Sequence, residues 1–266
     1  MLVDSHCHLD LLTPSQASGG VGAALAAARD AGVAHLLCVG VHPDDQGRML
    51  DLVGDRREVS CSAGLHPCGT IVEEPGVEEI AGWCDDARIV AVGETGLDYA
   101  YADRVPVAVQ QARFRAHLRA ARELRLPVIV HTRDARDHTL AILREEGAAA
   151  IGGVLHCFTE DLATARVAID LGFAISFSGI VTFRNAEALR AVAAALPAES
   201  LLVETDAPYL APEPLRGREN HPAFVRHVAE RVAAVRGIQV DALARATTAN
   251  FRRVFPRAAA RMAAPA

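Results

Sequence analysis

The strongest constraint on this chain is an alternation along its length. Short β-rich runs recur: VAHLLCVG at 33–40, REVSCSAGLH at 57–66, RIVAVGE at 88–94, LPVIVH at 126–131, IGGVLH at 151–156, FAISFSG at 173–179 and SLLVETD at 200–206. With LVDSH at the start, these make about eight strand candidates. The stretches between them are longer and alanine-rich. In 109–125 and 164–172, for instance, apolar residues recur at spacings of three and four, the mark of an amphipathic helix. Eight such alternations in 266 residues predict a closed parallel (β/α)8 barrel of the TIM type, an α/β fold that needs roughly 250 residues. A doubly wound dinucleotide-binding sheet would carry GxGxxG between the first strand and first helix, and that motif is missing there. No linker rich in Pro, Gly or Ser divides the chain, so residues 1–266 read as a single domain. The tail from about 219 to 255 predicts two further helices packed on the barrel.

Composition narrows the class. With 51% hydrophobic and 23% charged residues, the chain can bury a large core. No apolar run approaches the roughly 20 residues of a membrane span. The opening MLVDSHCH has neither the basic region nor the long apolar segment of a secretion signal, so the expectation is a cytoplasmic protein without membrane contact. The six cysteines form no CxxC pair, and several lie in apolar runs where a reduced thiol packs as a small hydrophobe. All 27 basic residues are arginine, which with the alanine-rich helices looks like a coding bias, so arginine abundance alone is no sign of phosphate binding. The net charge of −6 argues against a broad basic surface for duplex DNA, because non-specific affinity rests on many phosphate contacts. A small local anion site is still allowed.

The chemistry gathers at the ends of the strand candidates. In VDSHCHLD, His6 and His8 are one residue apart, so on a strand they share a face and can grip one cation. Alone, His-x-His is as readily an ordinary polar strand end. Four other runs, however, also finish on a metal-binding type: Glu94 after IVAVG, His131 after PVIV, His156 after GGVL and Asp206 after LLVET. In a barrel these ends converge on one face, where active sites of such enzymes lie. A catalytic zinc ion takes about three protein ligands, so four histidines and two carboxylates predict two cations. His6, His8 and Asp206 would hold one, His131 and His156 the other, and Glu94 could bridge through its two oxygens. Mixed imidazole and carboxylate ligands suit Zn, Mn, Fe or Ni better than Ca, with Mg also within the expected set. Glu204, two before Asp206 and on the same strand face, reads as support for the ligands or as a buried structural carboxylate.

Long stretches also resemble the TatD family of metal-dependent hydrolases, known chiefly as DNases. The resemblance is carried by LVDSHCHLD (2–10), PVIVHTRDARD (127–137) and LPAESLLVETDAP (196–208), with GLHP (64–67), VGETGLDY (92–99), LHCF (155–158) and FSGIVTF (177–183) between them. It implies metal ligands at His6, His8, Glu94, His131, His156 and Asp206, the six residues already reached from the strand ends. It further implies substrate contacts at His66 and Arg133. PEPLRGRENHP (212–222) resembles the family's loop after the last strand, but Arg218 stands where lysine is common, which keeps the charge and alters the donor geometry that Arg216 and Arg218 would offer a phosphate.

The predicted activity is metal-assisted phosphodiester hydrolysis, with Asp206 and Glu94 as catalytic carboxylates. Asp206 would orient a water and accept its proton. The resemblance implies single-stranded DNA or other nucleic-acid 3′ ends as substrate, and no obligate protein partner is expected. The same ligands could instead activate water against the carbonyl of an amide or lactone, since fold and metal site do not fix substrate. A structural metal site would be closed, which ligands from five strand ends around a barrel mouth disfavour.

Overall fold

The computed structural model describes residues 1–12 and 20–263. Eight strands, β1 (Leu2–Cys7), β2 (Val33–Cys38), β3 (Val59–Ala63), β4 (Ile89–Asp98), β5 (Val128–Arg133), β6 (Gly153–Leu155), β7 (Phe173–Phe177) and β8 (Leu201–Val203), form one parallel sheet in sequence order. Seven helices lie between or after them: α1 (Gly20–Asp30), α2 (Pro43–Val53), α3 (Val77–Trp83), α4 (Val107–Leu124), α5 (Arg136–Glu145), α6 (Leu162–Asp170) and α7 (Glu187–Ala195). Three more follow β8: α8 (Val225–Val235), α9 (Val240–Val254) and α10 (Pro256–Ala263). The sheet curls into a nearly closed barrel, the predicted (β/α)8 arrangement. Its seam joins the chain beyond β8 to β1, where Asp206 N–H donates to His6 O at 2.9 Å and His8 N–H to Ala207 O at 2.8 Å. Ser5 Oγ adds a bond to Val203 O at 3.0 Å.

Strand alternation sorts side chains into two cores. On β2, Leu36 and Cys38 join the layer between sheet and helices, while Leu37 joins a separate cluster with Val3, Ile129, Val154, Ala174 and Leu202. Drawing on strands all around the sheet, that second cluster fills the barrel interior. Strands apolar on both faces are what a covered parallel sheet requires. The interior is plugged from its lower end by Phe251, Phe255 and Ala258. The two expected tail helices are α8 and α9; α8 packs in the layer between sheet and helices, while α9 and a further helix, α10, past residue 255 close the barrel bottom.

Helix α4 shows how local sequence sets an element. Phe114, Leu118 and Ala121 recur on its buried face, Pro106 precedes its first residue, and Arg125 ends it in a left-handed conformation (φ 54°). The predicted span 109–125 is displaced by two residues or fewer. Strand β4 departs further from expectation: it does not finish on Glu94 but runs to Asp98, with a register irregularity between Val92 and Thr95. Gly96 permits the extension. At φ 136°, a Cβ there would lie 2.0 Å from His131 O, so any side chain would push β4 off β5.

Candidate metal centre

All six residues predicted at the strand ends meet at the C-terminal mouth of the barrel. His6 lies within β1 and His8 just past it, and their Nε2 atoms are 3.3 Å apart. His8 Nδ1 is 2.9 Å from Val39 O. A carbonyl only accepts, so Nδ1 carries a proton toward Val39, and Nε2 is the nitrogen turned to the cluster. Asp206, three residues beyond β8 and held at φ 58°, brings Oδ1 to 3.4 Å from His8 Nε2 and 3.7 Å from His6 Nε2. A non-glycine residue in that left-handed region is the kind of local strain that collects at functional sites.

Glu94 stands at the centre. Its Oε1 is 2.7 Å from His156 Nε2, 3.0 Å from His131 Nδ1 and 3.4 Å from His66 Nε2, and its Oε2 is 3.4 Å from His6 Nε2. One oxygen thus faces the β5 and β6 histidines and the other faces β1. The two histidine groups are not separate, because His6 and His156 stack with centroids 3.9 Å apart and His131 Nδ1 is 3.3 Å from His156 Nε2. Donor atoms of His6, His156 and Asp206, of His6, His8 and Glu94, and of His66, Glu94 and His131 each lie within 4.8 Å of one another. Facing imidazole nitrogens at 3.3 Å need a proton or a cation between them. Such a convergence of borderline-soft nitrogen and carboxylate donors suits divalent first-row metals.

Electrostatics make the cluster a cation trap. Burial would raise the Glu94 carboxyl, but His156, His66 and His131 around it hold it well below the usual range. Asp206 is likewise kept low against burial by His8 and His6. Reciprocally, burial pushes His8 down, yet the Asp206 carboxylate outweighs it and lifts the ring to about 9. Two ionised carboxylates are thus bound up with imidazoles that hold protons in the cations' place.

The other predicted residues divide. Glu204 is fully buried behind His156, with Oε1 3.3 Å from its Nδ1, and accepts Cys157 N–H at 2.7 Å. His66 sits beside Glu94, and its Nδ1 accepts Cys68 N–H at 3.1 Å. A neutral His66 therefore carries its proton on Nε2 and acts there as a donor. Arg133 is not in the cluster: it is exposed at the end of β5, its guanidinium 5.4 Å from the Tyr101 ring centroid. Arg216 is stacked at 3.7 Å over Phe183, and Arg218 is exposed. The sequence reading missed Asp98, whose Oδ2 lies 3.1 Å from His131 Nε2. The signal was its even spacing from Glu94, which on a continuing strand puts both carboxylates on one face.

Comparison with known proteins gives the family. The protein-family model described as TatD related DNase matches residues 3–256. A protein of Escherichia coli K12 described as uncharacterized metal-dependent hydrolase YcfH is 52% identical over 262 residues, covering 98% of each chain. A Klebsiella pneumoniae protein named 3′-5′ ssDNA/RNA exonuclease TatD is 37% identical over 250 residues, covering 92% of this chain and 95% of its own. The crystal structure of YjjV, a TatD homologue from Escherichia coli K12, superimposes with a TM-score of 0.87 at 31% identity, covering 96% of this chain and 98% of that one. A histidine and carboxylate cluster at the mouth of a (β/α)8 barrel and a match spanning nearly the whole chain lead to one conclusion: the chain belongs to the TatD family of metal-dependent hydrolases.

Proposed function

We propose that the chain removes nucleotides from the 3′ ends of single-stranded nucleic acid by phosphodiester hydrolysis, using two divalent cations. The observation that carries the two-cation reading is the division of Glu94, with Oε1 toward His131 and His156 and Oε2 toward His6. His6, His8 and Asp206 would hold one cation, His131 and His156 the other, and Glu94 would bridge. Cations bound there would supply Lewis acidity, acidifying a water and offsetting charge on a phosphoryl group.

The chain's own residues would do the rest. Asp206, ionised and with 13% of its side chain exposed to the mouth, is placed to orient the attacking water and take its proton. Glu94, at 3% exposure, is too enclosed for that role and serves as fixed negative charge. His66 would donate from Nε2 to a non-bridging phosphoryl oxygen. Arg133 at the rim would fork onto a neighbouring phosphate. With neutral histidines, two divalent cations would offset the carboxylates of Glu94, Asp206, Asp98 and Glu204, so the mouth could accept an anionic phosphoryl group within an acidic protein. Support for a nucleic-acid substrate comes from the name of the Klebsiella relative. The test is turnover by the metal-loaded chain of a phosphodiester, an amide and a lactone in parallel. Preference for the phosphodiester is expected, and preference for either carbonyl substrate would overturn the proposal.

A further inference from the structure

His131 is turned the opposite way to the other cluster histidines. His6, His8 and His156 direct Nε2 at their neighbours, whereas His131 directs Nδ1 at Glu94 and His156. Its Nε2 points outward to Asp98 Oδ2 at 3.1 Å. Glu94 and Asp98, four residues apart on β4, thus hold the two nitrogens of one ring between them.

Asp98 is itself held from behind. Gln110, fully buried on α4, accepts Asp98 N–H through Oε1 at 2.7 Å and donates through Nε2 to Asp98 O at 2.9 Å and Val105 O at 2.8 Å. A single side chain therefore pins both polar backbone groups of Asp98, at the point where β4 has outrun its predicted end. Asp98 is 2% exposed, so water competes little for its carboxylate. An ionised carboxylate only accepts, so once a cation takes the Nδ1 side that Glu94 faces, the bond to Asp98 holds the ring proton on Nε2.

We propose that Asp98, clamped by Gln110, is a positioning residue that orients His131 and thereby sets the affinity of the second cation position. The inference rests on the two-cation reading above. The His6 and His8 side of the cluster has its own anchor in Val39 O, so losing Asp98 should affect the two positions unequally. Carboxylates behind ligand histidines are typically worth about 10- to 100-fold in metal affinity.

The test is calorimetric titration of the chelator-stripped full chain with Zn²⁺, comparing wild type and Asp98→Asn. The asparagine amide can turn its N–H₂ to Nε2 and favour the wrong tautomer. The expected result is two binding events in wild type and, in the variant, one of them weakened by about 10- to 100-fold with the other retained. Two unchanged events, or equal weakening of both, would overturn the role of Asp98. A single event in wild type would instead overturn the two-cation reading beneath it. Nitrogen NMR of the Zn²⁺-loaded wild type needs no variant: a proton on His131 Nε2 supports the proposal, and one on Nδ1 refutes it. Gln110→Met, which frees the Asp98 backbone without touching the cluster, should weaken the same event by a smaller factor. No weakening there would remove Gln110 from the device.

Discussion

Acidification should loosen this protein through His117, a residue remote from the metal cluster but connected to its rim. His117 is fully buried on α4, where Nδ1–H donates to Arg113 O at 2.8 Å and Nε2 accepts Leu65 N–H at 3.1 Å. Its neighbour on the helix, Arg113, donates to His66 O, Pro67 O and Gly69 O. Together they hold the loop that carries His66. Burial, with the nearby Arg113 charge adding to it, depresses His117 from the ordinary 6.5 to about 4, although the bond to Arg113 O works the other way. Between those values the unfolded chain binds a proton that the native state refuses. Unfolding free energy therefore falls as pH drops through that window, by about 1.4 kcal/mol per pH step. Relative to pH 8, the loss at about pH 4.5 is on the order of 2 to 3 kcal/mol, and it levels off below pH 4. Protonation would also turn Nε2 from an acceptor into a donor facing the Leu65 donor. The assay is urea denaturation across pH for wild type and His117→Gln, whose amide can donate and accept without titrating. Wild type should lose on the order of 2 to 3 kcal/mol more than the variant between about pH 8 and 4.5. Parallel pH profiles would refute the reasoning.

Other perturbations act on the mouth. His6→Ala and His131→Ala should each lower hydrolysis by about a hundredfold or more, and each should remove a cation by metal analysis, because they stand on the two sides of Glu94. Near wild-type turnover in either folded variant would displace that residue from the site. Arg133→Lys keeps the charge but loses the fork, so KM on phosphodiesters should rise, or kcat fall, by about tenfold, and the melting temperature should hold because the side chain is exposed. Unchanged kcat/KM on every phosphodiester tested would exclude Arg133.

The barrel was legible because its signal is repetitive: eight β-rich runs with helices between them leave few parallel architectures. The clustering was legible because strand ends of a barrel share one face, which brought six scattered residues together. The sequence reading failed where pairing overrides local pattern. After Glu94, TGLD has no strong alternation, and pairing with β5, which Gly96 permits, together with the Gln110 clamp keeps it in the sheet. Asp98 was lost with that extension. Gln110 was invisible for a related reason, since a glutamine on an amphipathic helix reads as solvent-facing until the backbone it clamps is known. Arg133 shows the opposite limit. Its position two after His131 placed it near the mouth, but the Tyr101 ring that its guanidinium faces belongs to the segment after β4. The third tail helix, α10, lay past the predicted end at 255 and is recognisable by the apolar residues it sends into the barrel bottom.

The most direct measurement is degradation of a linear single-stranded DNA labelled at its 5′ end, alongside a closed circle of the same sequence, by the metal-loaded chain. Cations confined to a barrel mouth would capture one terminal phosphodiester where the strand is free to bend in, and a chain of net charge −6 offers little surface for internal binding. The predicted result is a ladder shortening from the 3′ side, an intact circle, and loss of the ladder on chelation. Circles cut as fast as linear strands would contradict end-directed hydrolysis, and a ladder that persists in chelator would contradict the metal centre itself.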